Sequence, residues 1–114
     1  MNGAAAEDLA LRHLQGKGLK TVARNWRCRG GELDLVMREG ETLVVAEVRK
    51  RSSEAFGGAA ASVDSRKRAR IIQSTQRFLV EHPEFLDAPV RFDVLTLDRA
   101  DKIEWIKAAF DSDG

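Results

Sequence analysis

Two carboxylates, Asp34 and Glu47, stand in the stretch GGELDLVMREGETLVVAEVRKR, residues 30–51, with apolar residues on either side of each. Strand side chains alternate faces. Glu32 and Asp34 therefore share one face, and Glu47, Arg49 and Arg51 share a face of the next strand. Gly40-Glu41 suits a two-residue type II′ hairpin turn. That register sets Glu39 opposite Thr42 and Asp34 opposite Glu47, so all five side chains are expected to project together. Two carboxylates about 4 Å apart repel by a few kcal/mol at an effective dielectric of about 20. A divalent cation offsets this, because Mg²⁺ takes one or two carboxylates with waters and phosphate oxygens. A neighbouring guanidinium also offsets it, and Arg49 is the obvious one. The first arrangement, beside a basic rim of Arg49-Lys50-Arg51 and Arg66-Lys67-Arg68 with Arg70, is what phosphodiester cleavage requires. The second is an ion-paired cluster on a solvated sheet face. The runs LDLV and LVVAEV look buried on both faces, and buried carboxylates need strong compensation.

The elements that must position these residues follow from periodicity. Residues 3–15 are rich in Ala and Leu at helical spacing, and Gly16 and Gly18 stop that helix. LKTVARNWRCR reads as a first, irregular strand, and Gly30-Gly31 as a turn. ELDLVMRE and TLVVAEVRKR form the hairpin. A Gly-, Ala- and Ser-rich loop, SSEAFGGAAASVDS, precedes a long helix from about Val63 to Glu81. Ile71, Ile72, Thr75, Phe78 and Leu79 line one side of it, and His82-Pro83 ends it. VRFDVLTLD and KIEWIKAAF are two further strands. The expected order is αβββαββ, a single α/β domain over residues 1–114 with a mixed central sheet flanked by helices.

Composition narrows the function classes. With 114 residues, the chain suits one core. No apolar run is long enough for a transmembrane helix, and the N-terminal MNGAAAEDLALRHL lacks the pattern of a signal peptide. The single cysteine, Cys28, cannot form an internal disulfide, which fits a reducing cytoplasm. Cys28, His13 and His82 are not spaced for structural zinc. The net charge of +1 hides an asymmetry. Residues 24–77 hold twelve Lys and Arg against seven Asp and Glu, and residues 81–114 hold four against nine. Such polarity can present one basic face to a polyanion.

An acidic residue, a hairpin and then Glu-x-Lys on the next strand resembles the PD-(D/E)xK nuclease superfamily, with its restriction-endonuclease-like fold. More closely, the chain resembles the YraN-like family of small bacterial proteins. The matching pieces are AAAEDLALRHLQGKGL, RNWRCRGGELDLVMREGETLVVAEVRKR, FGGAAASVDSRKRARI and RFDVLTLD, with IKAAF at the end. They cover nearly the whole chain in order. Archaeal Holliday-junction resolvases are the family's kin in fold, which implies nucleic-acid binding, with DNA the expected partner and RNA the alternative, and suggests a homodimer.

The resemblance assigns roles. Glu7 looks like a helical acid that approaches the site and holds metal or water. Asp34 looks like the central ligand and Glu47 the second, for Mg²⁺ or Mn²⁺. Lys67 matches a family position and is expected to contact phosphate, with Arg51, Arg66 and Lys50 as further nucleic-acid contacts. Arg49 departs from the motif lysine. Arginine stays protonated, so it can orient phosphate or stabilise transition-state charge but cannot activate water by losing a proton. Three functions follow: a metal-dependent nuclease acting on DNA, branched DNA included; a nucleic-acid-binding module of the same fold without catalysis; or a protein-interaction domain whose carboxylates form an internal salt-bridge network. Trp105 is expected to be partial core, and Asp93 a structural partner of Arg91 or of a basic residue of the long helix rather than a third metal ligand.

Overall fold

The computed structural model describes residues 3–51 and 63–112. The elements are α1 (Gly3–Gly16), β1 (Lys20–Cys28), β2 (Gly31–Glu39), β3 (Thr42–Lys50), α2 (Ser65–Glu81), a single 3₁₀ turn (Pro83–Phe85), β4 (Val90–Leu97) and β5 (Ile103–Phe110). This is the expected order. The glycine-rich loop before α2 falls in 52–62, outside the described residues.

The five strands lie in sequence order, β1-β2-β3-β4-β5. All neighbours are antiparallel except β3 and β4, which are parallel. A parallel pair needs a crossover, and α2 lies in that connection. The predicted hairpin register is the observed one, with Glu39 opposite Thr42 through to Leu35 opposite Ala46. Gly40 takes φ 60° while Glu41 stays out of the left-handed region, as a II′ turn requires.

Alternation along β3 divides the core into two layers. Val44 and Ala46 pack with Ala10 and Leu14 of α1, together with Leu35, Met37 and Leu95. Leu43 and Val45 pack with Ile71 and Phe78 of α2, together with Val36, Phe92 and Val94. The helices therefore cover opposite faces, and the central strands are buried on both sides. The result is a mixed α/β sheet flanked by helices, consistent with a nuclease-like core.

The long helix begins two residues later than expected. Val63 is fully buried outside it, and Asp64 is the N-cap, its carboxylate accepting from the Lys67 N–H at 2.8 Å. His82 closes the helix, as predicted. Among the described residues, no helix is long and apolar enough to cross a membrane.

Candidate active site

Past Leu35 and Ala46 the ladder between β2 and β3 gives way. The Val48 N–H donates to Asp34 Oδ2 at 3.0 Å, so a side chain takes a bond that the next strand pair would have used. Asp34 is thereby oriented by backbone. The strand irregularity at this point shows in the packing. Leu35 and Met37 face α1, yet Leu33 belongs to the α2 layer with Val36, so alternation breaks across Asp34.

Opposite Asp34 in register lies Asn25, between the pairs Arg24–Leu35 and Trp26–Leu33. Asn25 has φ 52° in mid-strand. Asparagine is among the few non-glycine residues that adopt this conformation readily. Its side chain hydrogen-bonds Glu7 of α1. Sequence reasoning missed Asn25. The signal was an asparagine inside a strand run, ARNWR, where a residue of poor β-propensity calls for a local reason.

Glu47 is 4% exposed and Asp34 9%. Their carboxyl groups are close enough to act on each other. Burial, then this contact and the Asp34 charge, push the Glu47 carboxyl up to about 8. Lys67 opposes the shift, with its Nζ 3.3 Å from Glu47 Oε2. Glu7 is raised above the usual carboxylate range by burial first and Asp34 second, while Asn25 and Arg24 pull it back.

These distances correct part of the sequence picture. The cation that meets the buried pair is Lys67, brought by the first turn of α2, rather than Arg49 from the same strand. Among the described residues, Arg49 makes no ion pair. Arg51 turns away to β5, where its Nη1 lies 3.3 Å from Glu104, and its N–H donates to the Leu97 carbonyl. Glu32 is exposed and pairs with Arg27 at 3.3 Å. The five side chains therefore do not act together; only Asp34 and Glu47 do. Lys50 is exposed at the end of β3, on the opposite alternation from Glu47. Arg66 is exposed in the first turn of α2 and acts on Asp64.

Glu7 approaches the pair closely enough to be felt electrostatically. Its ion-pair partner, however, is Arg24 at 3.9 Å, and Arg24 also grips Asp8 at 2.6 Å. Among the described residues, no three His, Cys, Asp or Glu side chains converge as a ready ligand set. What is assembled is a two-carboxylate site, with a third acid in the second turn of α1. Mg²⁺ fits such a site, since it keeps several waters and uses one or two carboxylates.

Asp93 and Trp105 take the roles expected of them. Asp93 accepts from Arg91 Nε and Nη2, Trp105 Nε1 and the Ala108 N–H, each at 2.9–3.0 Å. Trp105 packs against the α1 layer.

The sequence pattern of a family described as "Uncharacterised protein family UPF0102" matches residues 6–97. The chain is 49% identical over 113 residues to a UPF0102 protein of Pseudomonas entomophila (strain L48), covering 96% of this chain and 92% of that one. It is 48% identical over 115 residues to a UPF0102 protein of Pseudomonas aeruginosa (strain LESB58), with the same coverage. Against a UPF0102 protein of Stutzerimonas stutzeri (strain A1501) the identity is 47% over 114 residues, covering 97% and 95%.

Proposed function

The chain belongs to the uncharacterised protein family UPF0102, the YraN-like group, and from that premise we propose that it is a metal-dependent nuclease acting on DNA phosphodiesters, branched DNA among them. One observation carries the reading: two carboxylates are buried side by side, and among the described residues one ammonium, that of Lys67, meets them, at Glu47. Asp34 and Glu47, once both ionised, exceed Lys67 by one negative charge, and a buried excess charge is costly. A proton or a divalent cation removes it.

Asp34 and Glu47 would hold Mg²⁺ or Mn²⁺, with Glu7 placed to hold a water of that cation. The cation would supply positive charge at the phosphate and a water of lowered pKa. Asp34 is pinned by the Val48 N–H, so its free oxygen is pre-oriented. Lys67 holds its ammonium 3.3 Å from Glu47 Oε2, where it can meet a phosphate as a point charge. Lys67 is thus the residue suited to the part that the motif lysine takes elsewhere in the superfamily. Arg49, unpaired among the described residues, is free to orient phosphate.

Arg49 itself favours a second reading, a nucleic-acid-binding module that does not cut. Cleavage of labelled linear and four-way-branched DNA with Mg²⁺ or Mn²⁺ separates the two. Wild type is expected to cut, and Glu47→Ala to lose cutting by at least about 100-fold, as expected when a ligand of a catalytic metal is removed. Binding without cutting in either metal, unrescued by Arg49→Lys, would leave only the binding module.

A further inference from the structure

A groove runs beside the carboxylates, between the β1–β2 turn and α2, as two adjoining depressions that share Cys28 and Gly30. The depression nearer the site carries Arg27, Lys67 and Arg70, with Glu32 as its one acid. The other carries Arg29 and Arg77. We infer that this groove is the track for the sugar-phosphate backbone of one nucleic-acid strand, leading it along α2 to Asp34 and Glu47. The inference rests on the nuclease reading, which leaves the path of the strand open.

Three features support the track. The first is helical phase: positions 67, 70, 74 and 77 recur every three or four residues, so Lys67, Arg70 and Arg77 lie along one face of α2. From Lys67 to Arg77 the helix rises about 15 Å, which matches about four nucleotides at roughly 3.4 Å each. The second is availability. Arg29 and Arg70 are exposed, and among the described residues neither makes an ion pair, so a phosphate reaching them breaks no bridge, whereas Arg27, Lys67 and Arg77 would exchange their bridges to Glu32, Glu47 and Glu81 for it. The third is a fixed wall. Ser74, at the middle of that helical face, is buried against the turn, its Oγ within 3.6 Å of Cys28 Sγ. Gly31 leaves no room for a Cβ against the same hydroxyl. The turn carrying Arg29 is therefore held at a set distance from the helix carrying Arg70.

The test is fluorescence anisotropy with a fluorescein-labelled single-stranded and a duplex DNA oligonucleotide, titrated over a salt series without divalent ions. Wild type is compared with Arg29→Ala/Arg70→Ala and with Arg12→Ala/Lys17→Ala. The second variant removes the same charge from exposed residues at the α1 face. Circular dichroism checks that each variant folds. The groove variant is expected to bind at least tenfold more weakly at low salt. Its log–log salt slope is expected to fall by about one to two, near one for each lost phosphate contact, while the α1 variant stays within about twofold of wild type. Equal losses in both variants, or none in the groove variant while wild type binds, would overturn the track and leave the site reading standing. No binding by wild type to either oligonucleotide at low salt would overturn the nucleic-acid reading and the track with it.

Discussion

The sheet buries carboxylates in two places, and the two are treated oppositely. Asp93, on the α1 face of β4, is fully satisfied: a bidentate guanidinium, an indole N–H and a backbone N–H occupy its two oxygens. Arg91 is also held by Glu39 at 2.7 Å, and these partners push its pKa above the ordinary arginine value. Among the described residues, Asp34 and Glu47, on the α2 side, have the Val48 N–H, the Lys67 ammonium at 3.3 Å and each other. A carboxylate that serves the fold is saturated by donors. Among the described residues the pair at the end of the hairpin has fewer donors than Asp93, and this contrast supports the proposal that it holds a cation.

Removing each acid in turn should expose the contrast most strongly. Asp93→Ala leaves the Trp105 indole N–H and the Ala108 N–H without an acceptor in the core, and strips Arg91 of its bidentate partner. A loss of about 3–5 kcal/mol is expected, read as a fall in the urea midpoint. Asp34→Asn keeps an acceptor for the Val48 N–H and removes the like-charge contact with Glu47. It should change stability by less than about 1 kcal/mol, in either direction. Equal losses at the two positions would make both clusters structural and support the internal salt-bridge network in place of the nuclease.

A smaller effect should appear in the pH dependence. Glu47 holds its proton more tightly in the folded chain than in the unfolded one, where the carboxyl titrates near 4.5. The folded state therefore binds more protons between pH 4.5 and about 8. The contribution to stability is fully present below that window and is lost as pH rises through it, by at most about 1.4 kcal/mol per pH unit. In EDTA, the denaturation midpoint of wild type should decline across this range, and Glu47→Gln should flatten the decline. Mg²⁺ or Mn²⁺ added at pH 8 should raise the wild-type midpoint and leave that of Glu47→Gln nearly unmoved. A flat wild-type profile would mean that Lys67 alone balances the pair.

The smallest expected change concerns the element that delivers Lys67. Asp64→Ala removes the cap of α2 and should cost about 1 kcal/mol, measured as a shift in the urea midpoint. If the first turn of α2 also loosens, the salt bridge to Glu47 weakens and the pH-dependent decline extends to higher pH.

Much of this was legible in the sequence. Helical spacing placed Ile71 and Phe78 on one side of α2, and both are found in the core layer beneath that helix. Gly40-Glu41 set the hairpin register, because a two-residue II′ turn admits one pairing. That register alone brings Asp34 and Glu47 together. The pairing of Asp93 with Arg91 was also legible, since alternation puts residues two apart on one face of a strand.

Periodicity orders side chains within an element, and it is silent on which elements meet. Only the crossover from β3 to β4 decided that the first turn of α2 ends beside Glu47, so that Lys67 and not Arg49 neutralises it. Only the antiparallel docking of β5 drew Arg51 to Glu104. Only the docking of α1 set Glu7 within reach of Asn25 and Asp34. The sequence by itself determined the elements, the hairpin register and the carboxylate pair, because local sterics and turn geometry act over a few residues. The tertiary structure alone decided which cation faces that pair and which acids stand apart, because a contact between residues far apart in sequence exists only after the helices have chosen their faces of the sheet.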